Sequence, residues 1–366
     1  MYKKILVIAT RRIGDVLLTT PLFHALRKAY PTAQLDVIVF KGTEKILEGN
    51  ADISNIIGTS AKPDWSEYKT ILSRIWHKYD LSISTLAGDR PSFYAFLGSK
   101  NRVSAQHFIL FKHAWKRWLF TKWVKLDDQL WHVVLQNNQF AEILDIEGST
   151  TVVVPQSEGA SRKLATLLGF DIAKIPYCVI HPYPMWKYKQ LDDSVWTDIG
   201  KYFLDKGYRV VISGGPATSE VAKCEMLARS IQGAVSLAGK TQFSDTSELL
   251  NNARIYIGPD TSITHLAAAC GTPTLAIFGP TSPVRWGPWP KNYTMPKTEE
   301  KMYSPYEKVR EMQNLGNVWL YQSPSRKKCI PCQGEGCDNH LNSKSLCLTE
   351  ISSNTLIKCL SAMGIS

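Results

Sequence analysis

A chain of 366 residues is longer than one hydrophobic core usually serves, so two domains are expected. Its 44% hydrophobic and 20% charged content excludes a disordered chain, and 43 Lys and Arg against 32 Asp and Glu leave a net charge of +11. That balance favours an anionic partner, whether a nucleotide, a nucleic acid or an acidic membrane surface.

The N-terminal apolar run is too short for a signal peptide, and no stretch approaches the ~20 apolar residues of a membrane helix, so a cytoplasmic, soluble or peripheral chain is expected. Lys4–Ala9 reads as a strand buried on both faces, and Val16–Tyr30 carries helical periodicity. With a strand at Leu35–Phe40, the first 40 residues form a βαβ unit. Its loop, Thr10-Arg11-Arg12-Ile13-Gly14-Asp15, is basic and contains glycine, which suits a site at the carboxyl end of a strand.

The alternation continues with a helix at Gly42–Glu48, a strand at Ile53–Ile57, a helix at Trp65–Tyr79 and a strand at Leu81–Leu86 that ends near Asp89. Residues 102–126 break the rhythm: Phe108, Phe111, Trp115, Trp118, Phe120 and Trp123 alternate with Lys112, Lys116, Arg117, Lys122 and Lys125. Such a pattern suits base stacking, a membrane interface, closure over an acidic sugar, or simply aromatics packed on their own domain. Trp131–Leu144 is an amphipathic helix, a short strand is expected at Thr151–Val154, and the stretch 155–175 holds the domain boundary.

The second half restarts with a strand at Tyr177–His181 and the loop Pro182–Lys189, then a helix at Asp192–Lys206. A strand at Arg209–Ser213 ends in Gly214-Gly215, and the helix Ala217–Ser230 carries Glu220 in its first turn. A helix at Thr246–Asn252 leads into Arg254–Gly279, which reads as strand, turn, helix, strand, the helix running from Ser262 to Cys270. Asp260, Thr261 and Ser262 are all good caps, so this helix opens with hydroxyls and N–H groups suited to phosphate. His265, one turn in, can face the same mouth. Lys189, Glu220 and Asp260 all follow strands and belong to one sheet edge. There a lysine would neutralise a diphosphate, and a carboxylate would hold ribose hydroxyls.

The string Asp260-Thr261-Ser262-x-x-His265-Leu-Ala-Ala-Ala resembles the nucleotide-sugar signature of glycosyltransferase family 9, with Ser262 where the family commonly has Gly. Gly14-Asp15 followed by Thr19-Thr20-Pro21 resembles the family's opening, and Pro280–Pro288 resembles its strand exit beside the donor base. The resemblance implies nucleotide contacts for Lys189 and Glu220; the family's Lys-x-Trp tryptophan is Leu191 here, and Lys187 is an alternative counterpart. The spacing Cys329-x2-Cys332-x4-Cys337-x9-Cys347 invites a zinc or iron–sulfur reading but matches no standard structural site, so a reduced-thiol loop stands beside it. The same string resembles the tail of heptosyltransferase III-like members of the family.

What the resemblance implies is an α/β chain in the GT-B arrangement, two Rossmann-like doubly wound domains facing across a cleft. Residues 1–165 would bind the acceptor and 166–350 the nucleotide sugar, with a terminal helix in 351–366 packing back across the domains. The implied reaction is inverting transfer of heptose from ADP-L-glycero-D-manno-heptose to inner-core lipopolysaccharide on the inner face of the inner membrane, with 102–126 on the anionic surface and no nucleic-acid partner. Asp15 would be the general base, with Gly14, Arg11, Arg12, Lys189, Glu220, Asp260, Thr261, Ser262 and His265 around the substrates. No cofactor is expected, and with no Asp-x-Asp loop to hold a metal, Lys189, the 260–262 helix end and Arg11 or Arg12 would stabilise the leaving group. A nucleotide-sugar epimerase of the same fold and a basic nucleic-acid-binding protein are the competing readings.

Overall fold

A computed structural model describes residues 2–106, 118–127, 129–295, 303–326 and 328–365. The chain divides into two compact units, Met1–Pro155 with Thr294–Ser304, and Gln156–Tyr293 with Pro305–Ser366. The division falls at Pro155, ahead of the 165/166 boundary read from the sequence.

The first unit runs β1 (Lys4–Ile8), α1 (Ile13–Leu17), α2 (Thr20–Ala29), β2 (Gln34–Phe40), β3 (Asn55–Thr59), α3 (Trp65–Ile75), β4 (Leu81–Ser84), α4 (Asp89–Gly98), β5 (Asn101–Gln106), β6 (Lys122–Lys125) and α5 (Val133–Leu144). Its six strands pair in the order β3-β2-β1-β4-β5-β6, all parallel. The order reverses direction between β1 and β4, and at such a switch point the chains leaving the two strand ends diverge and open a crevice.

The second unit runs α6 (Ala160–Leu168), β7 (Tyr177–Ile180), α7 (Asp193–Asp205), β8 (Arg209–Ile212), α8 (Thr218–Ser230), β9 (Val235–Ser236), α9 (Phe243–Asn252), β10 (Ile255–Pro259), α10 (Ser262–Cys270), β11 (Thr274–Phe278), α11 (Pro283–Trp286), β12 (Met312–Leu315), β13 (Val318–Gln322), α12 (Leu346–Thr349) and α13 (Ser353–Ala362). Its strand order is β12-β13-β11-β10-β7-β8-β9, parallel except for the β12–β13 hairpin at the edge. Leaving β12 aside, this repeats the first sheet's topology, with the switch point between β7 and β10. Both units are therefore Rossmann-like and doubly wound.

Several expectations need correction. Val16–Tyr30 is two helices, because Pro21 has no N–H to give and its ring displaces the carbonyl of Leu17, which is taken instead by the Thr20 hydroxyl at 2.7 Å. Gly42–Glu48 holds only a 3-10 turn, Glu44–Leu47, and no strand forms at Thr151–Val154. Helix α4 was missed because both its faces are largely buried, so its sequence lacks a polar stripe. Part of the anomalous 102–126 segment is strand, β5 and β6 completing the sheet, whereas Phe108, Phe111, Lys112, Trp115, Lys116 and Arg117 lie outside the described residues. The stretch 155–175, expected to hold the domain boundary, contains α6, and α13 packs with α7 in the second unit through Leu356, Cys359 and Leu360. No helix among the described residues is long and apolar enough to cross a membrane.

One polar cluster lies inside the first sheet. Asp36, in the middle of β2, is buried and accepts hydrogen bonds from Tyr79 at 2.7 Å, Gln34 at 2.7 Å and Asn55 at 2.8 Å. Burial, then this carboxylate, pushes the Tyr79 phenol well above its ordinary value, so it stays a donor. Tyr79→Phe should cost about 1–3 kcal/mol by leaving the carboxylate short of a partner. Urea denaturation would show a lower midpoint at unchanged slope; an unchanged midpoint would mean Gln34 and Asn55 suffice.

Candidate active site

Strand β10 carries the chain to the switch point of the second sheet, and α10 starts immediately beyond it. Thr261 caps this helix, its hydroxyl accepting from the Thr264 N–H at 3.4 Å, while the Thr264 hydroxyl donates to the carbonyl of Pro259 at 2.5 Å. The Ala-rich helix ends at Gly271, whose positive φ of 89° is what a helix-terminating position of this kind requires. Gly258 is needed for close packing, since a Cβ there would lie 2.4 Å from the Tyr256 hydroxyl, itself bonded to Thr264.

Asp260 occupies the turn between strand and helix and is 8% exposed. Lys189, reached through the loop after β7, donates to its Oδ2 at 2.5 Å, and His265 Nε2 lies 3.6 Å from its Oδ1. Burial alone would raise the Asp260 carboxyl; Lys189, His265 and the Thr281 hydroxyl outweigh it and hold it below the usual carboxylate range. Asp260 thus stays ionised and fixes the lysine, whose ammonium has three N–H donors, in front of the helix N-terminus. The structure brings Lys189, Asp260, Thr261, Ser262 and His265 together, and it is Lys189 rather than Lys187 that reaches Asp260. Leu191, where the family has Trp, is buried in the core.

Glu220 stands at the neighbouring strand exit, after β8. Its Oε1 accepts the N–H of Gly215 at 2.6 Å, an approach open only because a Cβ on Gly215 would meet Glu220 Oε2 at 2.9 Å. Burial raises its pKa, against the pull of Gly215 and Lys223. His181 was read as the end of a strand; it sits at the exit of β7, buried, with Nδ1 3.0 Å from the Ser213 hydroxyl and its N–H bonded to Ile257. Its position next to the loop carrying Lys189 is the one sequence signal that could have singled it out.

At the first unit's switch point, Asp15 lies in α1, directly after β1. Its Oδ1 accepts from Arg11 at 2.9 Å, and both side chains are about one-fifth exposed (17% and 21%). Gly14 belongs to the same turn, and Arg12 is its N-cap with an exposed side chain. Asp89, a second carboxylate that follows a strand of this sheet, opens α4 after the adjacent strand β4 and is exposed. His132 caps α5, its Nδ1 accepting from Val134 at 3.2 Å.

Cys329, Cys332 and Cys337 are exposed and Cys347 is buried, all as free thiols. Burial, then the neighbouring Cys332, Cys329 and Cys337, pushes Cys347 up to about 12. Among the described residues no group of three or more His, Cys, Asp or Glu side chains is placed to hold a metal ion.

Two Rossmann-like doubly wound units are the construction of the GT-B class. The model of glycosyltransferase family 9 (heptosyltransferase) matches residues 101–316, and the chain belongs to that family. It is 29% identical to lipopolysaccharide heptosyltransferase 3 of Escherichia coli K12 over 289 residues, 76% of this chain and 83% of the relative. It shares the fold of the family 9 glycosyltransferase of Veillonella parvula, with a TM-score of 0.77, 19% identity and 99% and 97% of the two chains covered. It also shares that of the E. coli ADP-heptose lipopolysaccharide heptosyltransferase II, with a TM-score of 0.71, 16% identity and 98% of each chain covered.

The buried His181 has a consequence for pH. Burial lowers its pKa from 6.5 to about 4, so between those values the unfolded chain binds a proton that the folded chain refuses. Stability held above pH 6.5 should fall by ~3 kcal/mol as pH drops to 4, a window above that in which depressed carboxylates such as Asp260 titrate. His181→Asn should flatten this slope in chemical denaturation; an equal slope in the variant would place the proton elsewhere.

Proposed function

We propose that this chain transfers a heptose, with inversion, from ADP-L-glycero-D-manno-heptose to the inner core of lipopolysaccharide, the second unit holding the donor and the first the acceptor. The observation that carries the reading is the Lys189–Asp260–His265 group in front of the α10 N-terminus at the second sheet's switch point. A helix N-terminus and a fixed ammonium stabilise the charge that grows on a departing diphosphate. Membership of family 9 and likeness to E. coli heptosyltransferases supply the sugar and the acceptor class.

In this reading Lys189 takes the diphosphate with the N–H groups that Asp260 leaves over, Ser262 and the Thr261 backbone line the phosphate mouth, and Glu220 faces the ribose. Asp15 takes the acceptor hydroxyl's proton, with Arg11 holding the carboxylate in place and Arg12 and Gly14 shaping the loop around the acceptor. The enzyme works on the inner face of the inner membrane, and residues 102–126 contact the anionic surface.

Incubation with ADP-heptose, with and without lipopolysaccharide core, tests the reaction: turnover should require both, whereas donor conversion without acceptor would point to an epimerase. Lys189→Ala removes a charge-assisted contact worth about 1.5–3 kcal/mol, so the donor Kd should rise roughly ten-fold or more. Wild-type affinity by calorimetry would take Lys189 out of the site. Asp15→Asn keeps shape and removes basicity; kcat should drop by ~10²–10⁴-fold at nearly constant donor affinity. Near-normal turnover would transfer the role to Asp89 or another group.

A further inference from the structure

Right-handed crossovers place the connections β3→β4 and β4→β5 on one face of the first sheet. Packing agrees: Ile71 and Ile75 of α3, Tyr94 and Ala95 of α4, and Phe120 share one core cluster, with Tyr68, Leu72 and Leu119 packed against it. The outside of this layer is unusual. Trp118 is 91% exposed, Trp65 75%, Trp76 55% and Phe93 45%, and every exposed Trp or Phe among the described residues lies in the first unit.

On α3 and its cap, Trp65, Lys69, Leu72 and Trp76 follow one another at spacings of four, three and four, which puts them on one flank of the helix, beside the face buried by Ile71 and Ile75. Lys62, Lys69, Arg74 and Lys78 are exposed around them. The acids nearby are engaged in the fold: Asp64 caps α3 through the Glu67 N–H, Glu67 accepts from Ser60 and Lys41, and Asp80 accepts the N–H groups of Lys3 and Lys4. These acids stay ionised but are fewer than the bases around them, Lys41, Lys62, Lys69, Arg74 and Lys78, so the surface presents indole rings among cations in net excess. Tryptophan prefers the boundary between hydrocarbon and water, and each Lys or Arg held near an anionic leaflet gains about 1 kcal/mol.

We propose that this outer flank, Trp65, Lys69, Leu72 and Trp76 with Phe93 and Trp118, docks onto an anionic bilayer. The inference rests on the membrane reading given above for residues 102–126 and extends it to the neighbouring α3 and α4. A protein partner would favour a contiguous apolar patch; here the aromatics are separated by lysines, the pattern of an interfacial surface.

The full chain is sedimented with vesicles of phosphatidylcholine alone and with added phosphatidylglycerol. Three proteins are compared: wild type, Trp65→Ala/Trp76→Ala, and a set with Lys112, Lys116, Arg117 and Lys122 changed to Gln. Circular dichroism and thermal melting establish that each is folded. The Trp variant should lose roughly ten-fold or more in affinity for anionic vesicles, and wild-type indole fluorescence should shift to the blue on binding. Full binding by the Trp variant overturns the inference, and if the Gln set alone is impaired the earlier reading stands without it. Loss in the Trp variant with the Gln set unaffected supports the flank and removes 102–126. An altered oligomeric state by gel filtration with vesicle binding intact would assign the flank to a second copy of the chain and overturn the proposal.

Discussion

Parallel pairing obliges each strand to return by a crossover, and a sheet built outward in two directions leaves one place where neighbouring strand ends send their chains to opposite faces. Each unit of this protein has one such place, β1 beside β4 and β7 beside β10. Four of the carboxylate and ammonium groups of the candidate site are attached to those four strand ends, and Glu220 stands at the exit of the adjacent β8. Asp15 and Asp89 follow the first pair, and Lys189 and Asp260 follow the second, although Lys189 and Asp260 stand 71 positions apart in the sequence. The duplication supplies two crevices of the same construction and opposite polarity of task, one carrying a carboxylate beside an arginine and the other an ammonium beside a helix N-terminus.

The Lys189–Asp260 pair shows why such a site needs a third component. Taking both charges from water costs several kcal/mol, and one contact repays this only when other groups satisfy the remaining lone pairs. His265 and Thr281 do so on the carboxylate, and the first turn of α10 lies beside the pair. What remains unspent is the ammonium's other donors. In the proposed reaction a diphosphate would meet there a positive centre whose position has already been set, so little reorganisation would accompany its arrival.

The two units spend polar groups differently. In the first, Asp36 is locked by three neutral donors inside the sheet, and the outer layer of α3 and α4 shows tryptophan to the surroundings. In the second, the exposed large apolar side chains are Ile, Leu and Met, and the Lys189–Asp260 ion pair stands at the switch point.

The sequence alone determined whatever depends on neighbours along the chain. Apolar runs marked the central strands, and Asp-Thr-Ser with Gly271 bounded α10 at the positions observed, because capping is satisfied within one turn. The family motifs were legible for the same reason, as they are short loops at strand ends. Elements whose character depends on distant partners were not. Helix α4 lacks a polar stripe because most of it is buried and the residue it exposes in mid-helix is Phe93, β5 and β6 hid within an aromatic and basic stretch, and the β12–β13 hairpin gains its place only by pairing with β11. Likewise the resemblance pointed to Lys189, with Lys187 as an alternative counterpart. Only the tertiary structure decided which of them pairs with Asp260, since a salt bridge depends on which side chain the loop carries to within bonding distance of a buried carboxylate, and chain-local pattern holds no record of that distance.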